Sequence, residues 1–269
     1  MIKVRAPRLS LFLLLLTGLW LSHLSHADTV IDRPDFAGAF NAAGVKGTFV
    51  LYDVAANQTL IYPRQRALQR FIPASTFKIP NSLIALETGA VRDLDEIQPY
   101  GGKPQRLAIW EKDMNLRDAI RVSNVPVYQV VARRIGQDRM AEWVKQFNYG
   151  NRDIGKVIDR FWLDGPLTIS AIEQTRFLAK LAQKQLPLSK TTMDRVHDLT
   201  LQDQTEDYRL YAKTGWSDAT RPGIGWWVGW VERDSKIYAF ALNIDINTDR
   251  DADQRMVVAR KLLADSGVI

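Results

Sequence analysis

Alternating hydrophobic and polar residues predict β-strands near both ends of the chain. Residues 46–54 read KGTFVLYDV, and residues 59–62 read TLIY after a short polar turn, so these two segments form a predicted hairpin. Towards the other end, residues 209–213 are strand-like, and residues 225–232 and 237–245 form a second predicted hairpin. Strands from both ends of the chain are therefore available to one sheet.

The central part of the chain has helical periodicity instead. From Pro73 to about Gln204, apolar residues recur mostly at helical spacing, and loops interrupt them at residues 100–104, 149–151 and 164–166. This pattern predicts a largely helical segment between the two groups of strands.

A helix start is marked at Ser170, because Glu173 follows three residues later in the pattern of a capping box. The helix is predicted over residues 171–184, and Glu173 is interpreted as its capping residue. A further helix is predicted at about residues 252–264.

The order of these elements predicts an α/β (α+β) fold. We expect an antiparallel sheet closed by both termini and flanked by terminal helices, with a helical lobe inserted into it. The sheet lobe would comprise about residues 28–66 and 205–269, and the helical lobe about residues 67–204. Both lobes would belong to a single domain over residues 28–269, which is long enough to bury a sizeable core.

Residues 1–27 have the pattern of a secretory signal peptide. Basic residues precede an apolar run over residues 9–24, and Ser25 and Ala27 are the small residues before a cleavage site at Asp28. The alternative is a retained membrane anchor, but the run is short for a membrane span and polar residues interrupt it. We therefore expect a protein secreted across the inner membrane, periplasmic, and free of the membrane after cleavage.

Composition excludes several kinds of chemistry. The chain has no cysteine, which excludes disulfides, a thiol nucleophile and a cysteine-based metal site. Of its three histidines, His23 and His26 lie in the predicted leader, so His197 alone remains and cannot build a His-rich zinc site. His197 is interpreted as a helix-surface residue. The net charge is +6, but the basic residues form no tract, so no nucleic-acid partner is expected.

Ser75 and Lys78 are the most informative pair in the sequence. Their spacing places a hydroxyl and an amine on one helix face, and Pro73 places Ser75 in the first helical turn, where the helix dipole favours negative charge. Phe77 and Ile79 should partly bury Lys78, which would lower its pKa and free the amine to act as a base. The pair is a candidate nucleophile with its own base. An ordinary helix start with a surface lysine is the alternative.

Two later motifs supply groups that such a pair would use. Ser123 follows a helical stretch over residues 116–122 and could relay a proton to a leaving nitrogen; a helix-ending serine is the alternative. In the Lys213-Thr-Gly215 motif, the lysine would supply a fixed positive charge and the glycine room for a ligand beside the strand, although a plain strand end gives the same residues. The prediction of a site rests on the order and combination of the motifs.

Together these motifs resemble the signatures of the class D β-lactamases, the oxacillinases, over nearly the whole chain after the leader. The matching segments are Ser75-Thr-Phe-Lys78, Ser123-Asn-Val125, Tyr149-Gly-Asn151 and Lys213-Thr-Gly215, with flanking agreement at residues 161–163 and 225–231. The resemblance implies a serine β-lactamase or penicillin-binding transpeptidase-like fold. It also implies hydrolysis of the β-lactam amide of penicillin-type antibiotics, and hence resistance to them.

The resemblance implies a role for each residue of the reacting centre. Ser75 would be acylated, and Lys78 would be N-carboxylated by CO2 and act as general base in acylation and deacylation. Trp162 would hold the carboxylated lysine through its indole N–H. The backbone N–H groups of Ser75 and Trp216 would form the oxyanion hole. No metal and no diffusible cofactor is implied beyond CO2 or bicarbonate.

The same resemblance assigns residues that bind and protonate the substrate, a small β-lactam. Ser123 and Lys213 would manage proton transfer at the leaving nitrogen, while Arg255 and Thr214 would pair with the drug carboxylate. The remaining candidates form the walls of the cleft: Val125 and Leu163 keeping the lysine desolvated, Trp110, and Gly215. Two groups of residues are not assigned to substrate binding or catalysis. Trp226, Trp227 and Trp230 are interpreted as packing residues of the sheet, and Tyr149-Gly-Asn151 is interpreted as a segment that acts through loop shape.

The middle motif separates this chain from class A enzymes, which have Ser-Asp-Asn there and use a glutamate in deacylation. Val125 stands at the asparagine position, and no equivalent glutamate is found, so Lys78 must serve as the base. A penicillin-binding D,D-peptidase and a non-hydrolysing β-lactam sensor domain stay open as alternatives. The protein would be a monomer or a homodimer, and its substrate range is not set by these residues.

Overall fold

A seven-stranded sheet built from both ends of the chain forms the centre of the molecule. The computed structural model describes residues 1–2 and 28–269, so the predicted leader lies outside the described residues apart from its first two. The strands are β1 (Thr29–Asp32), β2 (Gly47–Asp53), β3 (Gln58–Tyr62), β4 (Arg70–Phe71), β5 (Ile169–Ser170), β6 (Leu201–Gln204), β7 (Tyr208–Ser217), β8 (Gly223–Arg233) and β9 (Lys236–Ile246). The order across the sheet is β1-β3-β2-β9-β8-β7-β6, while β4 and β5 pair separately. Only β1 and β3 run parallel among these pairs.

Helices cover both faces of this sheet. They are α1 (Ala37–Ala43), α2 (Arg64–Leu68), α3 (Lys78–Glu87), α4 (Leu116–Arg121), α5 (Val125–Ile135), α6 (Gln137–Gln146), α7 (Ala171–Ala182), α8 (Lys190–Thr200) and α9 (Asp249–Asp265). The terminal helices α1 and α9 contact each other, and α9 packs on β8 and β9, whereas α7 packs on β2, β8 and β9 from the opposite side. Within the described part of the chain, no helix has the length and apolar character needed to cross a bilayer.

Alternation along β8 divides the interior into two cores. Trp226 and Trp230 point into the core shared with the inserted helices, and Trp227 points into the core under α1 and α9. All three side chains are fully buried. The prediction that these tryptophans pack in the sheet is confirmed.

Both predicted hairpins and the mixed α/β fold with terminal helices are confirmed. The capping box is also present, because Ser170 Oγ accepts from the Glu173 N–H at 3.3 Å and the Glu173 carboxylate accepts from the Ser170 N–H at 2.9 Å. Helical periodicity was expected to reach about Gln204, but residues 201–204 form strand β6 instead. Pairing with the edge of β7 overrides the local pattern there.

His197 is not the surface residue that the sequence predicted. It lies on α8 with 9% of its surface exposed, because α8 packs against β7 and turns the imidazole inwards. Its Nε2 atom lies 3.0 Å from the Leu181 carbonyl oxygen, and its ring is 4.9 Å from that of Trp230. Burial lowers the pKa of His197, so its role is in packing the helix onto the sheet.

Candidate active site

A cleft of about 490 Å³ opens where β7 meets the loops before α3 and α5. The structure brings most of the predicted site residues to its walls: Ser75, Trp110, Ser123, Val125, Leu163, Thr214, Gly215, Trp216 and Arg255. Three further candidates, Lys78, Trp162 and Lys213, are buried beside it. Residues that are far apart in sequence therefore share one site.

Ser75 and Lys78 are joined across one helical turn. Residues Ala74–Phe77 form a 3-10 helix that continues into α3, and this geometry sets the lysine Nζ atom 2.8 Å from the Ser75 Oγ atom. Lys78 is completely buried, more than the partial burial that was predicted. Burial, and then the positive charge of Lys213, holds the pKa of Lys78 well below its usual value. The arrangement places an amine whose uncharged form is favoured by burial in contact with a serine hydroxyl.

The surroundings of Lys78 explain its burial. The Tyr128 ring centroid is 5.2 Å from the Lys78 Nζ atom, and the Tyr128 hydroxyl is tied to Ser82, whose own hydroxyl donates to the Lys78 carbonyl. On another side, Trp162 stacks on Phe77 with 5.7 Å between ring centroids. These contacts form an aromatic lining with little access for water.

A second serine–lysine pair lies across the cleft. Ser123 follows α4 with a positive φ of 54°, and its Oγ atom accepts from the Lys213 Nζ atom at 3.1 Å. Lys213 is 3% exposed and also contacts the Thr214 hydroxyl at 3.3 Å. Burial and the charge of Arg255 lower the pKa of Lys213 to about 7. Its charge is therefore expected to change near neutral pH, whereas the sequence predicted a fixed positive charge.

Arg255 reaches the cleft from the first half of α9. Its Nη1 atom donates to the Gly215 carbonyl oxygen at 2.8 Å, and its Nε atom donates to the Ala252 carbonyl oxygen at 2.5 Å. The guanidinium carbon lies 6.0 Å from the centroid of the Trp216 ring. Arg255 and Thr214 thus present a cation and a hydroxyl on the same wall, which is a suitable pair for a carboxylate.

Gly215 allows β7 to run directly against the 3-10 helix that carries Ser75. A Cβ atom at this position would lie 3.0 Å from the Pro73 carbonyl oxygen and 3.1 Å from the Thr76 methyl group. Any larger residue would push the strand away from the serine. Trp216 follows with 40% of its surface exposed at the mouth of the cleft.

The segment around Tyr149-Gly-Asn151 shapes the loop that carries Trp162 and Leu163. Gly150 has a φ of +54°, and a Cβ atom there would lie 2.0 Å from the Thr168 carbonyl oxygen. The Asn151 side chain donates to the Pro166 carbonyl oxygen at 2.9 Å and accepts from the Thr168 N–H at 3.1 Å. These contacts lie within the loop, which fits a role through loop shape.

Some cleft residues were not assigned from sequence. Ser217 and Gln129 line the cleft, and the Gln129 side chain donates to the Asp159 carbonyl oxygen at 3.1 Å. Ser217 was missed because the strand was expected to end at Lys213, whereas β7 continues to Ser217. Alternation with a period of two, counted from Lys213, would have placed Ser217 on the same strand face.

Comparison with known proteins identifies the family. The model of the penicillin binding protein transpeptidase domain family matches residues 47–264. The beta-lactamase OXA-5 of Pseudomonas aeruginosa is 43% identical over 233 residues, which cover 86% of this chain and 87% of that protein. The chain belongs to the class D β-lactamases. It is therefore a β-lactam hydrolase, and the resemblance drawn from its motifs is confirmed.

Other class D β-lactamases are similar to this chain in sequence and in structure. The beta-lactamase OXA-48 of Klebsiella pneumoniae is 42% identical over 224 residues, covering 83% of this chain and 84% of that protein. The crystal structure of FUS-1 (OXA-85), a class D beta-lactamase from Fusobacterium nucleatum subsp. polymorphum, superposes with a TM-score of 0.86 at 42% identity. This alignment covers 89% of the chain and 100% of that structure, so the likeness extends over the whole fold.

Proposed function

We propose that this class D β-lactamase hydrolyses penicillin-type antibiotics through an acyl-Ser75 intermediate, with N-carboxylated Lys78 as general base, and thereby confers resistance. The observation that carries the proposal is the 2.8 Å contact between the Ser75 hydroxyl and a fully buried Lys78. A nucleophile in contact with a base of lowered pKa is the basic requirement of covalent serine catalysis.

Carboxylation of Lys78 fits the residues around it. Only an uncharged amine adds CO2: its nitrogen bonds to the CO2 carbon and loses one proton, leaving a carboxylate on the side chain. The buried position of Lys78 favours the uncharged amine. Trp162, packed on the neighbouring Phe77, is the candidate donor to that carboxylate through its indole N–H.

Acylation would use the two serine–lysine pairs from opposite sides of the cleft. Carboxylated Lys78 takes the proton from Ser75, whose oxygen bonds to the lactam carbonyl carbon. The backbone N–H groups of Ser75 and Trp216 stabilise the resulting oxyanion. As the lactam C–N bond breaks, Ser123 gives its proton to the leaving nitrogen and receives one from Lys213, 3.1 Å away.

Deacylation would return to the same base. Carboxylated Lys78 takes a proton from a water molecule, whose oxygen bonds to the ester carbonyl carbon, and the ester bond to Ser75 then breaks. Val125 and Leu163 would limit the water that enters, so that Lys78 stays carboxylated through the cycle. During both steps, Arg255 and Thr214 would hold the drug carboxylate.

Two alternative activities share the acylation step. Penicillin turnover distinguishes both of them from a β-lactamase. A D,D-peptidase would attack the terminal peptide bond of a D-alanyl-D-alanine substrate, and a sensor domain would remain acylated. The family assignment favours the hydrolase, because the relatives at 42–43% identity are β-lactamases.

The central test measures penicillin hydrolysis with and without added bicarbonate. We expect CO2-depleted enzyme to be slow and added bicarbonate to restore the rate, since the active base contains CO2. Oxacillin and a carbapenem assayed under the same conditions would define the substrate range. Penicillin turnover that does not depend on bicarbonate would contradict carboxylated Lys78 as the base.

The variant Lys78→Ala tests the base directly. It should still be acylated slowly but should accumulate acyl-Ser75, visible as the added mass of one penicillin in the intact protein. Lys180→Ala, which removes an exposed lysine of α7, is the matched control and should turn over normally. Full turnover by Lys78→Ala would remove Lys78 from the mechanism.

We also propose that residues 1–27 direct export and are removed before Asp28. Residues 28–269 would then act in the periplasm as a single catalytic domain, with the helical lobe (about 67–204) inserted between the two parts of the sheet lobe (about 28–66 and 205–269). Its partner would be the small-molecule β-lactam, and the enzyme would be a monomer or a homodimer. The sequence pattern of the leader supports export, and the continuous sheet and its two shared cores support a single domain.

A further inference from the structure

One face of β7 contacts three separate parts of the active site. Lys213, Gly215 and Ser217 project to the same side because side chains alternate along a strand. Lys213 contacts Ser123, and Gly215 lies against the 3-10 helix that carries Ser75. Ser217 contacts Leu163, which belongs to the loop that also carries Trp162. The first two contacts belong to the mechanism above, and the third has no role in it.

The Ser217 hydroxyl joins two loops. Its Oγ atom donates to the Leu163 carbonyl oxygen at 3.1 Å and accepts from the Ala219 N–H at 3.3 Å. Ser217 is 5% exposed, so this hydroxyl is largely shielded from water. A buried hydroxyl that both donates and accepts is well placed to fix the distance between the β7–β8 turn and the loop.

Leu163 is the residue that this contact holds in place. It lines the cleft beside Ser75, packs partly on the core, and directly follows Trp162, which stacks on the residue before Lys78. Its backbone N–H donates to the Arg160 carbonyl oxygen at 2.8 Å, so that bond fixes one side of its backbone and Ser217 fixes the other. We therefore expect movement at Leu163 to loosen the packing between the cleft and the buried Lys78.

We infer that Ser217 is a positioning residue that holds Leu163 as a water-excluding wall and thereby maintains the carboxylation of Lys78. The inference rests on the proposed function, because it concerns the CO2 adduct of that lysine. Carboxylation joins the amine nitrogen to CO2 and releases one proton, so water that stabilises the ammonium form shifts the equilibrium back to free CO2. Ser217 acts through Leu163 and touches no reacting atom.

The test compares Ser217→Ala with wild type in a bicarbonate titration of penicillin turnover. We expect the half-saturating bicarbonate concentration to rise roughly three- to tenfold, as for the loss of one hydrogen bond, while the rate at saturating bicarbonate recovers. At limiting ¹³C-bicarbonate, the carbon NMR signal of the carboxylated lysine should fall in parallel. This second readout does not depend on catalysis.

Matched variants separate positioning from general stability. Ser217→Thr keeps the hydroxyl and should restore the wild-type titration. Thr220→Ala removes a hydroxyl of the same turn, which donates to the Pro222 carbonyl oxygen at 2.8 Å and not to the loop, and should leave the titration unchanged. If Ser217→Ala does not fold, Ser217→Cys takes its place, since a thiol has similar size but is a weak donor.

The outcomes distinguish the two proposals. A bicarbonate titration of Ser217→Ala that coincides with wild type would overturn the role of Ser217 and leave the proposed function intact. Wild-type turnover that is independent of bicarbonate, with no carboxylated-lysine signal, would overturn the proposed function and this inference with it.

Discussion

The charge of Lys213 is expected to depend on pH near neutrality. Burial and the neighbouring Arg255 lower its pKa to about 7, from an ordinary value near 10.5. Below about pH 7 the free enzyme therefore carries an ammonium beside Ser123, and above it this charge is progressively lost. Lys78 imposes the opposite requirement, because only its uncharged form adds CO2.

At saturating CO2, kcat/KM for a penicillin should therefore have a falling limb near pH 7. This parameter reports the free enzyme, in which the charged form of Lys213 would attract the drug carboxylate and supply a proton to Ser123. The measurement is a pH series of kcat/KM for wild type and for Lys213→Arg. In the variant the guanidinium stays charged, so the falling limb should disappear even if the absolute rate is lower.

Arg255→Ala provides an independent check of the same cause. Removing this positive neighbour should raise the pKa of Lys213 and move the falling limb to higher pH, while weaker carboxylate binding raises KM. A wild-type profile that stays flat to pH 9 would contradict the assignment of the limb to Lys213.

At the residue scale, the sequence predicted which side chains share the cleft but not how each is charged. Both serine–lysine pairs could be identified from the sequence, because Ser75 and Lys78 have helical spacing and Lys213 lies at the end of a predicted strand. The low pKa of Lys213 was not predictable, because it depends first on burial in the assembled fold and then on Arg255, 42 positions further along the chain on a different element. The inward orientation of His197 likewise depends on the packing of α8 against β7.

At the scale of elements, the loop over residues 149–168 has its shape set by one glycine. Gly150 combines a left-handed backbone conformation with a close approach to the Thr168 carbonyl oxygen. This contact holds the start of the loop against its end, and the part between them carries Trp162 and Leu163. The loop therefore behaves as a structural support for the Lys78 pocket.

Gly150→Ala should cost about 3 kcal/mol of unfolding free energy, because backbone strain and a clash with main-chain atoms add together. Penicillin turnover should fall as well, since Trp162 and Leu163 would shift. The matched control is Gly44→Ala at the end of α1, where φ is +69° but no atom lies within 4 Å of the added Cβ. That change should cost about 1 kcal/mol and leave turnover intact.

Denaturant unfolding of both variants, combined with a turnover assay, checks this prediction. If Gly150→Ala loses no more unfolding free energy than Gly44→Ala and keeps full penicillin turnover, the loop tolerates the added atom and does not support the site.

Helices and strands with a clear local sequence pattern were predictable, whereas strands that depend on pairing with a neighbouring strand were not. Alternating residues in β2, β3, β8 and β9 marked both hairpins, and the capping box marked the start of α7. The extension of β7 to Ser217 was missed because Gly215 interrupts the alternation, and only the ladder with β8 maintains the strand there. Strand β6 depends in the same way on the edge of β7.

At the scale of the whole molecule, the first residue after the predicted leader is already part of the fold. The Asp28 carboxylate accepts from the Thr59 hydroxyl at 3.0 Å and forms an ion pair with Arg176. The residue that follows the predicted cleavage site therefore makes contacts within the described fold. A mature chain that starts there would retain these contacts to β3 and α7.

The full-length chain, expressed in a Gram-negative host, should therefore yield a periplasmic protein whose N-terminal residue is Asp28. Cell fractionation and the intact mass of the purified protein measure both points. Ala27→Leu, which removes the small residue before the cleavage site, should leave an uncleaved form in the membrane fraction. Recovery of uncleaved wild-type protein from the membrane would support the anchor alternative instead.

The hydrogen bonds of the cleft have a consequence for how the molecule is made. The Lys213–Ser123 contact spans 90 residues and the Arg255–Gly215 contact spans 40, and Arg255 lies close to the C-terminus. A nascent chain that lacks its last segment cannot complete the cleft, and long-range contacts of this kind form late because loop closure must precede them. Capture of penicillin by Ser75 is therefore expected to report on these long-range contacts: a chain in which Ser123 and Lys213 have not met should be labelled slowly, and the covalent label would mark molecules whose cleft is assembled.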